Sequence, residues 1–96
     1  MSIVIVGGHD RMVGQYKKIC KSYKCKCKVF TQMEADFGKK IGCPDLLVLF
    51  TNTVSHKMVK CAVSNLKGEN TRIVRCHSSS MAALKNILQE HTAYSN

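Results

Sequence analysis

Three of the four histidines lie among glycines, serines and basic residues, directly behind apolar stretches of the chain. His9 stands in VGGHDR, His56 in VSHK and His77 in CHSSS. Imidazole exchanges protons near neutral pH and binds metals, so it can serve several chemistries. Backbone N–H groups at helix starts bind anions. These three stretches are therefore the first candidates for a functional site.

Apolar runs alternate with helical patterns along the chain, and this alternation decides where the histidines lie. We expect strands at 3–6, 24–30, Leu46–Phe50 and 71–76. Helices are expected at about 11–23, after Ser55 and after Ser80, and a short one between the capping box of 31–34 and Gly42, with Phe37 and Ile41 facing inward. Alternating strands and helices predict parallel strands with right-handed crossovers.

The composition of each strand predicts its place in the sheet. Strands one and three are wholly apolar, which is typical of central strands buried on both faces. Strand two alternates lysines with Cys25, Cys27 and Val29, and strand four contains Arg72 and Arg75, which favours edge positions. The predicted order is 2-1-3-4, a four-stranded parallel sheet. The fold class is a small Rossmann-like or flavodoxin-like three-layer α/β domain, with residues 1–96 forming a single domain.

Capping residues mark the expected helix starts. Asp10, the T-x-x-E capping box of 31–34, Ser55 and Ser80 are assigned this role. Gly42 should end the short second helix. A turn is expected at 67–70, and the last residues, 92–96, should fray.

Ligands of such sheets bind beyond the carboxyl ends of the strands, where the strand order reverses. Here the reversal lies between strands one and three. The candidate ligand-binding residues at this rim are Gly7, Gly8, His9, Asp10, Arg11, Thr51, Ser55, His56, Lys57, Ser78, Ser79 and Ser80. Basic side chains and hydroxyls suit phosphate or carboxylate, so we expect a small anion, nucleotide or metabolite. No dinucleotide fingerprint or P-loop is present in the sequence.

Two other chemistries remain as alternatives for the same rim. A transition metal or haem could be held by His9, His56, Cys76 and His77, although the sequence has no C-x-x-C or C-x-x-C-H motif. A small enzyme with histidine acid–base chemistry is the second alternative. Asp10 is the only acid expected near the rim, and no Ser–His–Asp order or paired-carboxylate pattern is recognisable, so we favour a non-enzymatic module.

The charge balance suggests a further partner. Net charge is +9, and eight of the 15 basic residues lie in one part of the chain: Lys17, Lys18, Lys21, Lys24, Lys26, Lys28, Lys39 and Lys40. Such a face could bind nucleic acid or another polyanion, or it could simply be solvated. Few arginines and aromatics argue against reading of bases. An edge strand also leaves a homodimer open.

The apolar runs are too short for a membrane span, and no basic segment precedes the first of them. We therefore expect no membrane contact and a cytoplasmic location. In that compartment the six cysteines should be reduced thiols. Most of them are interpreted as small buried apolar residues.

The stretches VGGHDR, DLLVLFTNTVSHKM and RCHSSSMAALKNIL resemble a bacterial family of short Rossmann-like proteins. It is the domain-of-unknown-function family numbered twenty-three twenty-five, and the resemblance covers nearly the whole chain. The resemblance implies that His56 lies at a characteristic family position, with His9 in the glycine loop and Ser78, Ser79 and Ser80 completing the rim. Some relatives are associated with haem binding, so the resemblance adds haem to the ligands worth testing.

Overall fold

A computed structural model describes residues 1–67 and 70–92 of the chain. The strands are β1 (Ser2–Val6), β2 (Lys26–Phe30), β3 (Leu46–Phe50) and β4 (Arg72–Cys76). The helices are α1 (Val13–Ser22), α2 (Phe37–Ile41), α3 (His56–Ser64) and α4 (Met81–His91), and a 3₁₀ turn at Asp10–Met12 precedes α1. Residues 68–69 of the predicted turn and 93–96 of the predicted frayed end lie outside the described residues.

The four strands form one parallel sheet in the order β2-β1-β3-β4, which confirms the predicted order and fold class. All five residues of β3 are buried because helices cover both faces of the central strands. The edge strands β2 and β4 are only partly covered. The register pairs Ile5 of β1 with Val29 of β2 and Val48 of β3.

Alternate residues of the central strands supply two apolar layers, since successive side chains point to opposite faces of a sheet. Ile3 and Ile5 pack with α1 and α4, whereas Val4 and Val6 pack with α2 and α3. The result is a three-layer α/β/α arrangement. Burying each of these side chains contributes about 1.5–3 kcal/mol, so the two layers hold the strand ends in register.

The start of the first helix differs from the prediction. The chain forms a 3₁₀ turn at Asp10–Met12, and α1 begins at Val13 with Met12 as its N-cap and no side-chain capping bond. The Asp10 carboxylate instead accepts a hydrogen bond from the Thr31 hydroxyl, behind β2. The assignment of Asp10 as an N-cap was therefore wrong, because a partner from another loop takes its carboxylate.

The capping box predicted at 31–34 is also wrong. The N-cap of α2 is Asp36, which has a left-handed backbone (φ 60°) and no side-chain capping bond. Thr31 donates to Asp10, and the Glu34 carboxylate accepts from Lys40 Nζ at 2.9 Å. Both side chains of the motif therefore have other partners. Gly42 ends α2 with φ 66°, as predicted.

The second strand is shorter than its alternating pattern suggested. Lys24 adopts φ 57°, and β2 begins at Lys26. The tight connection from α1 needs this left-handed residue, because the Cys25 N–H donates to the Cys20 carbonyl at 2.9 Å. Pairing therefore starts two residues later than predicted.

The two serine caps are confirmed. Ser55 Oγ accepts a hydrogen bond from the backbone N–H of Met58 at 3.2 Å, at the start of α3. Ser80 Oγ accepts from the N–H of Ala83 at 3.1 Å, at the start of α4. Both helices consequently begin at the carboxyl end of the sheet.

Candidate functional site

Hydrogen bonds join the loops behind the strands at the carboxyl end of the sheet. The Gly8 N–H donates to Thr53 Oγ1 at 2.7 Å, which ties the first loop to the third. The Thr51 N–H donates to the Cys76 carbonyl at 2.9 Å, which ties the third loop to the end of β4. These bonds bring the backbones of the three loops to one rim.

The two glycines of the first loop are buried, and atoms of neighbouring residues occupy the space that a side chain would need. Gly7 has φ 108°, and a Cβ there would lie 2.9 Å from the Phe50 carbonyl oxygen. Gly8 has φ 89°, and a Cβ there would lie 2.6 Å from the ring of Tyr16. Residues that carry a side chain rarely adopt such backbone angles, and the neighbouring atoms leave no room for a Cβ at either position. Both glycines therefore allow the loops to pack together.

Tyr16 anchors the first helix to the fourth loop. Its hydroxyl donates to the Ser79 carbonyl at 2.6 Å, and both residues are buried. Its ring also packs against Phe50, with ring centroids 5.5 Å apart. The helical pattern assigned Tyr16 to the core correctly but gave no sign of this hydrogen bond. Ser79 thus acts here through its backbone carbonyl, inside the protein.

A concave surface lies at the rim, and the residues of the 3₁₀ turn form most of its lining. Its lining residues are His9, Asp10, Arg11, Met12 and Gln15. The sequence predicted the first three and missed Met12 and Gln15. Gln15 stands four residues after Arg11, a spacing that places side chains side by side on a helix, and this was the available signal. His9, Arg11 and Gln15 are all exposed.

The third-loop candidates lie at the first turn of α3. His56 and Lys57 are exposed, while the Ser55 hydroxyl is engaged as the cap of the helix. Neither His56 nor Lys57 lines the concave surface. Within the described ranges, no ion pair or hydrogen bond joins the Lys57 ammonium to another residue. Its charge is consequently available to solvent or to a ligand.

The fourth-loop candidates are mostly bonded to one another. Ser78 Oγ donates to Ser80 Oγ at 3.2 Å, and Cys76 Sγ donates to the Ser78 carbonyl at 3.1 Å. His77 is exposed. Across residues 1–67 and 70–92, no three His, Cys, Asp or Glu side chains are grouped closely enough to hold a metal ion. The proposed metal or haem set, His9, His56, Cys76 and His77, remains a prediction.

A family model described as an uncharacterized protein conserved in bacteria (DUF2325) matches residues 2–91. The chain belongs to this family. The predicted family is therefore confirmed, and the match covers every strand and helix of the sheet described above. No curated protein and no solved structure matches the chain.

Three lysines of the basic segment have partners within the protein, and two of these partners are carboxylates. Lys40 pairs with Glu34 at 2.9 Å, and Lys39 lies 3.9 Å from Asp36. Lys28 Nζ donates to the Lys40 carbonyl at 3.3 Å, which fixes it against α2. Exposed ion pairs are weak, typically below about 1 kcal/mol, so these lysines stay available to a stronger anionic partner.

Over the part of the chain that is described, no helix has the length and apolar character needed to cross a membrane.

Proposed function

We propose that this protein is a binding module that holds a small phosphate- or carboxylate-bearing metabolite at the rim of the sheet. The supporting observation is the concave surface at the first loop, where the exposed side chains of His9, Arg11 and Gln15 stand together. A guanidinium presents several N–H donors in a plane that matches the oxygens of phosphate or carboxylate.

The charges around this surface favour an anion. Asp10 is the one carboxylate in the lining, and it already accepts a hydrogen bond from Thr31. A net charge of +9 adds a long-range attraction for anions. Lys57 stands at the exposed start of α3, where the backbone N–H groups and the helix dipole also favour negative charge.

Thermal unfolding with added inorganic phosphate, adenosine monophosphate or citrate tests the proposal. At ten times the dissociation constant, a ligand that binds only the folded state stabilises it by about 1.4 kcal/mol. For a domain of this size that corresponds to a rise of about 6–11 °C in the melting temperature. We expect Arg11→Ala to abolish the rise.

Arg72→Ala is the matched control for Arg11→Ala. Arg72 is also an exposed arginine, but it begins β4 at the opposite end of the sheet. The control should keep the full rise, since only the net charge has changed. Equal losses in the two variants would show a general charge effect and would refute a site at the rim.

A second pair of variants tests how far the site extends. Lys57 and Lys60 are both exposed lysines of α3, and only Lys57 lies in its first turn. We expect Lys57→Ala to weaken phosphate binding and Lys60→Ala to leave it unchanged. An unchanged affinity in both would confine the site to the first loop.

A further inference from the structure

A second concave surface, with a volume of about 510 Å³, lies where α3 passes beside the edge strand β4. Its volume falls within the range that is usual for small-molecule sites. It shares no lining residue with the concave surface of the first loop. Five lining residues belong to α3 and one to β4, and we call this surface the α3–β4 groove: Val59, Lys60, Cys61, Val63, Ser64 and Arg75.

The groove forms because α3 leaves part of the edge strand uncovered. Arg75 of β4 pairs with Leu49 of β3, and Ile73 pairs with Leu47. Both β4 side chains therefore lie on the face of the sheet that α2 and α3 cover at its centre. Leu47 and Leu49 are fully buried there, whereas Arg75 is exposed and Ile73 is 37% exposed. At the edge of the sheet, this face is consequently open to a ligand.

Two valines of α3 form an apolar wall of the groove. Val59 and Val63 are four residues apart, so they lie side by side on the helix and extend about 6 Å along it. Both are half-buried and pack against the apolar layer under α3, and their remaining surface lines the groove. The Ser64 hydroxyl already donates to the Cys61 carbonyl at 3.3 Å. The wall therefore suits a short hydrocarbon chain.

The charged groups that line the groove are both positive. Lys60 and Arg75 are exposed, and across residues 1–67 and 70–92 neither takes part in a hydrogen bond or an ion pair. The sequences of α3 and β4 contain no Asp or Glu. An anion near these elements is therefore attracted by both cations and meets no carboxylate in the lining.

We propose that the α3–β4 groove binds a small amphiphilic carboxylate, a short aliphatic chain that ends in a carboxylate group. The chain lies along Val59 and Val63, and the carboxylate accepts hydrogen bonds from the Arg75 guanidinium and the Lys60 ammonium. A guanidinium presents parallel N–H donors that match the two oxygens of a carboxylate. This site requires an apolar chain on its ligand, and it does not depend on the anion-binding proposal for the rim.

Titration with octanoate, followed through backbone amide resonances, tests the location of the site and the role of the chain. We expect saturable shifts that are largest at residues 59–64 and 73–76 and that persist in Arg11→Ala, which alters only the rim. In the series butanoate, hexanoate and octanoate, each added methylene should tighten binding by about two- to fourfold, because it buries apolar surface. Shifts concentrated on residues 9–12, or equal affinities for butanoate and octanoate, would overturn the proposal.

Two further probes with the same chain length test the role of the charge. Octylamine carries a positive head group and 1-octanol a neutral one, whereas octanoate is negative. We expect no saturable binding of octylamine, and weaker binding of 1-octanol than of octanoate, because only the carboxylate is attracted by Lys60 and Arg75. Equal binding of the three compounds would show an apolar patch without anion recognition and would contradict the proposal.

Matched variants assign the contacts to individual side chains. Arg75→Gln and Lys60→Gln should each weaken octanoate binding by about two- to fivefold, which is the effect expected for an exposed ion pair. Arg72→Gln is the control, because Arg72 is an exposed arginine of the same strand that lies on the opposite face of the sheet. It should leave the affinity unchanged, and equal weakening by Arg72→Gln and Arg75→Gln would show a net-charge effect and refute the site.

A substitution in the apolar wall completes the test. Val63→Thr keeps the size of the side chain and replaces one methyl group by a hydroxyl, so it should reduce the gain in affinity from hexanoate to octanoate. Melting curves show whether the variant is folded, and Val59→Thr serves for the same comparison if it is not. An undiminished gain in the folded variant would contradict the placement of the chain along α3.

Discussion

Substitution of Tyr16 by Phe removes one buried hydroxyl and tests the bond that joins α1 to the fourth loop. Tyr16 is fully buried, and its hydroxyl donates to the Ser79 carbonyl at 2.6 Å. The ring remains in place, so no large cavity forms and the contact with Phe50 persists. The Ser79 carbonyl loses this donor inside the protein. An unsatisfied buried acceptor costs about 1–3 kcal/mol, which is the expected loss in the free energy of unfolding.

Urea unfolding followed by circular dichroism measures this loss as a lower midpoint with an unchanged slope. Tyr23→Phe is the matched control, because Tyr23 is only half-buried and its hydroxyl makes no hydrogen bond in the described part of the chain. We expect the control to change stability by less than about 0.5 kcal/mol. Equal effects of the two substitutions, or a loss below about 0.5 kcal/mol for Tyr16→Phe, would refute the anchoring role of the bond.

Two further substitutions test the packing and capping of the rim, and urea unfolding measures both. Gly8→Ala should destabilise the protein by about 2–5 kcal/mol, because φ 89° is strained for alanine and its Cβ would lie 2.6 Å from the Tyr16 ring. Gly14→Ala should be neutral or stabilising by up to about 1 kcal/mol, since nothing lies within 4 Å of its Cβ, and similar losses for both glycines would contradict the packing argument. Ser80→Ala should cost about 1 kcal/mol through loss of the α4 cap, whereas no measurable loss would show that the bond to Ala83 contributes nothing.

Features that depend only on residues close together in the sequence were predictable. The uninterrupted LLVLF run placed β3 at the centre of the sheet, and the serines before α3 and α4 predicted both caps. The strand order followed because composition separates central strands from edge strands.

Features that depend on distant partners were not predictable in this way. Asp10 and Thr31 each fit a local capping motif, yet they bond to each other across 21 residues of sequence. That contact requires β1 and β2 to be paired, and in the same loop the chain forms a 3₁₀ turn at Asp10–Met12 before α1 begins. The concave surface around Gln15 is lined by the residues of this 3₁₀ turn, which the sequence did not predict, so its shape was not predictable either.

The convergence of the loops was predictable, whereas the grouping of side chains within the rim was not. Parallel topology requires the carboxyl ends of β1, β3 and β4 to meet at one edge, and the hydrogen bond from Gly8 to Thr53 agrees with this. The concave surface is lined by the first loop and the start of α1, without His56 or Lys57. Right-handed crossovers in the order 2-1-3-4 place α1 and α3 on opposite faces of the sheet, but the direction of each side chain within the rim is not fixed by the topology.

A titration with inorganic phosphate, followed residue by residue through backbone amide resonances, tests the proposed anion site most directly. We predict that the largest shifts fall on residues 9–12 and at the starts of α3 and α4, follow one saturable binding curve, and disappear in Arg11→Ala. The shifts could instead be concentrated on the exposed lysines of α1 and β2, without saturation: Lys17, Lys18, Lys21 and Lys26. Such a pattern would show that anions bind only to these lysines. That result would contradict a binding site at the rim.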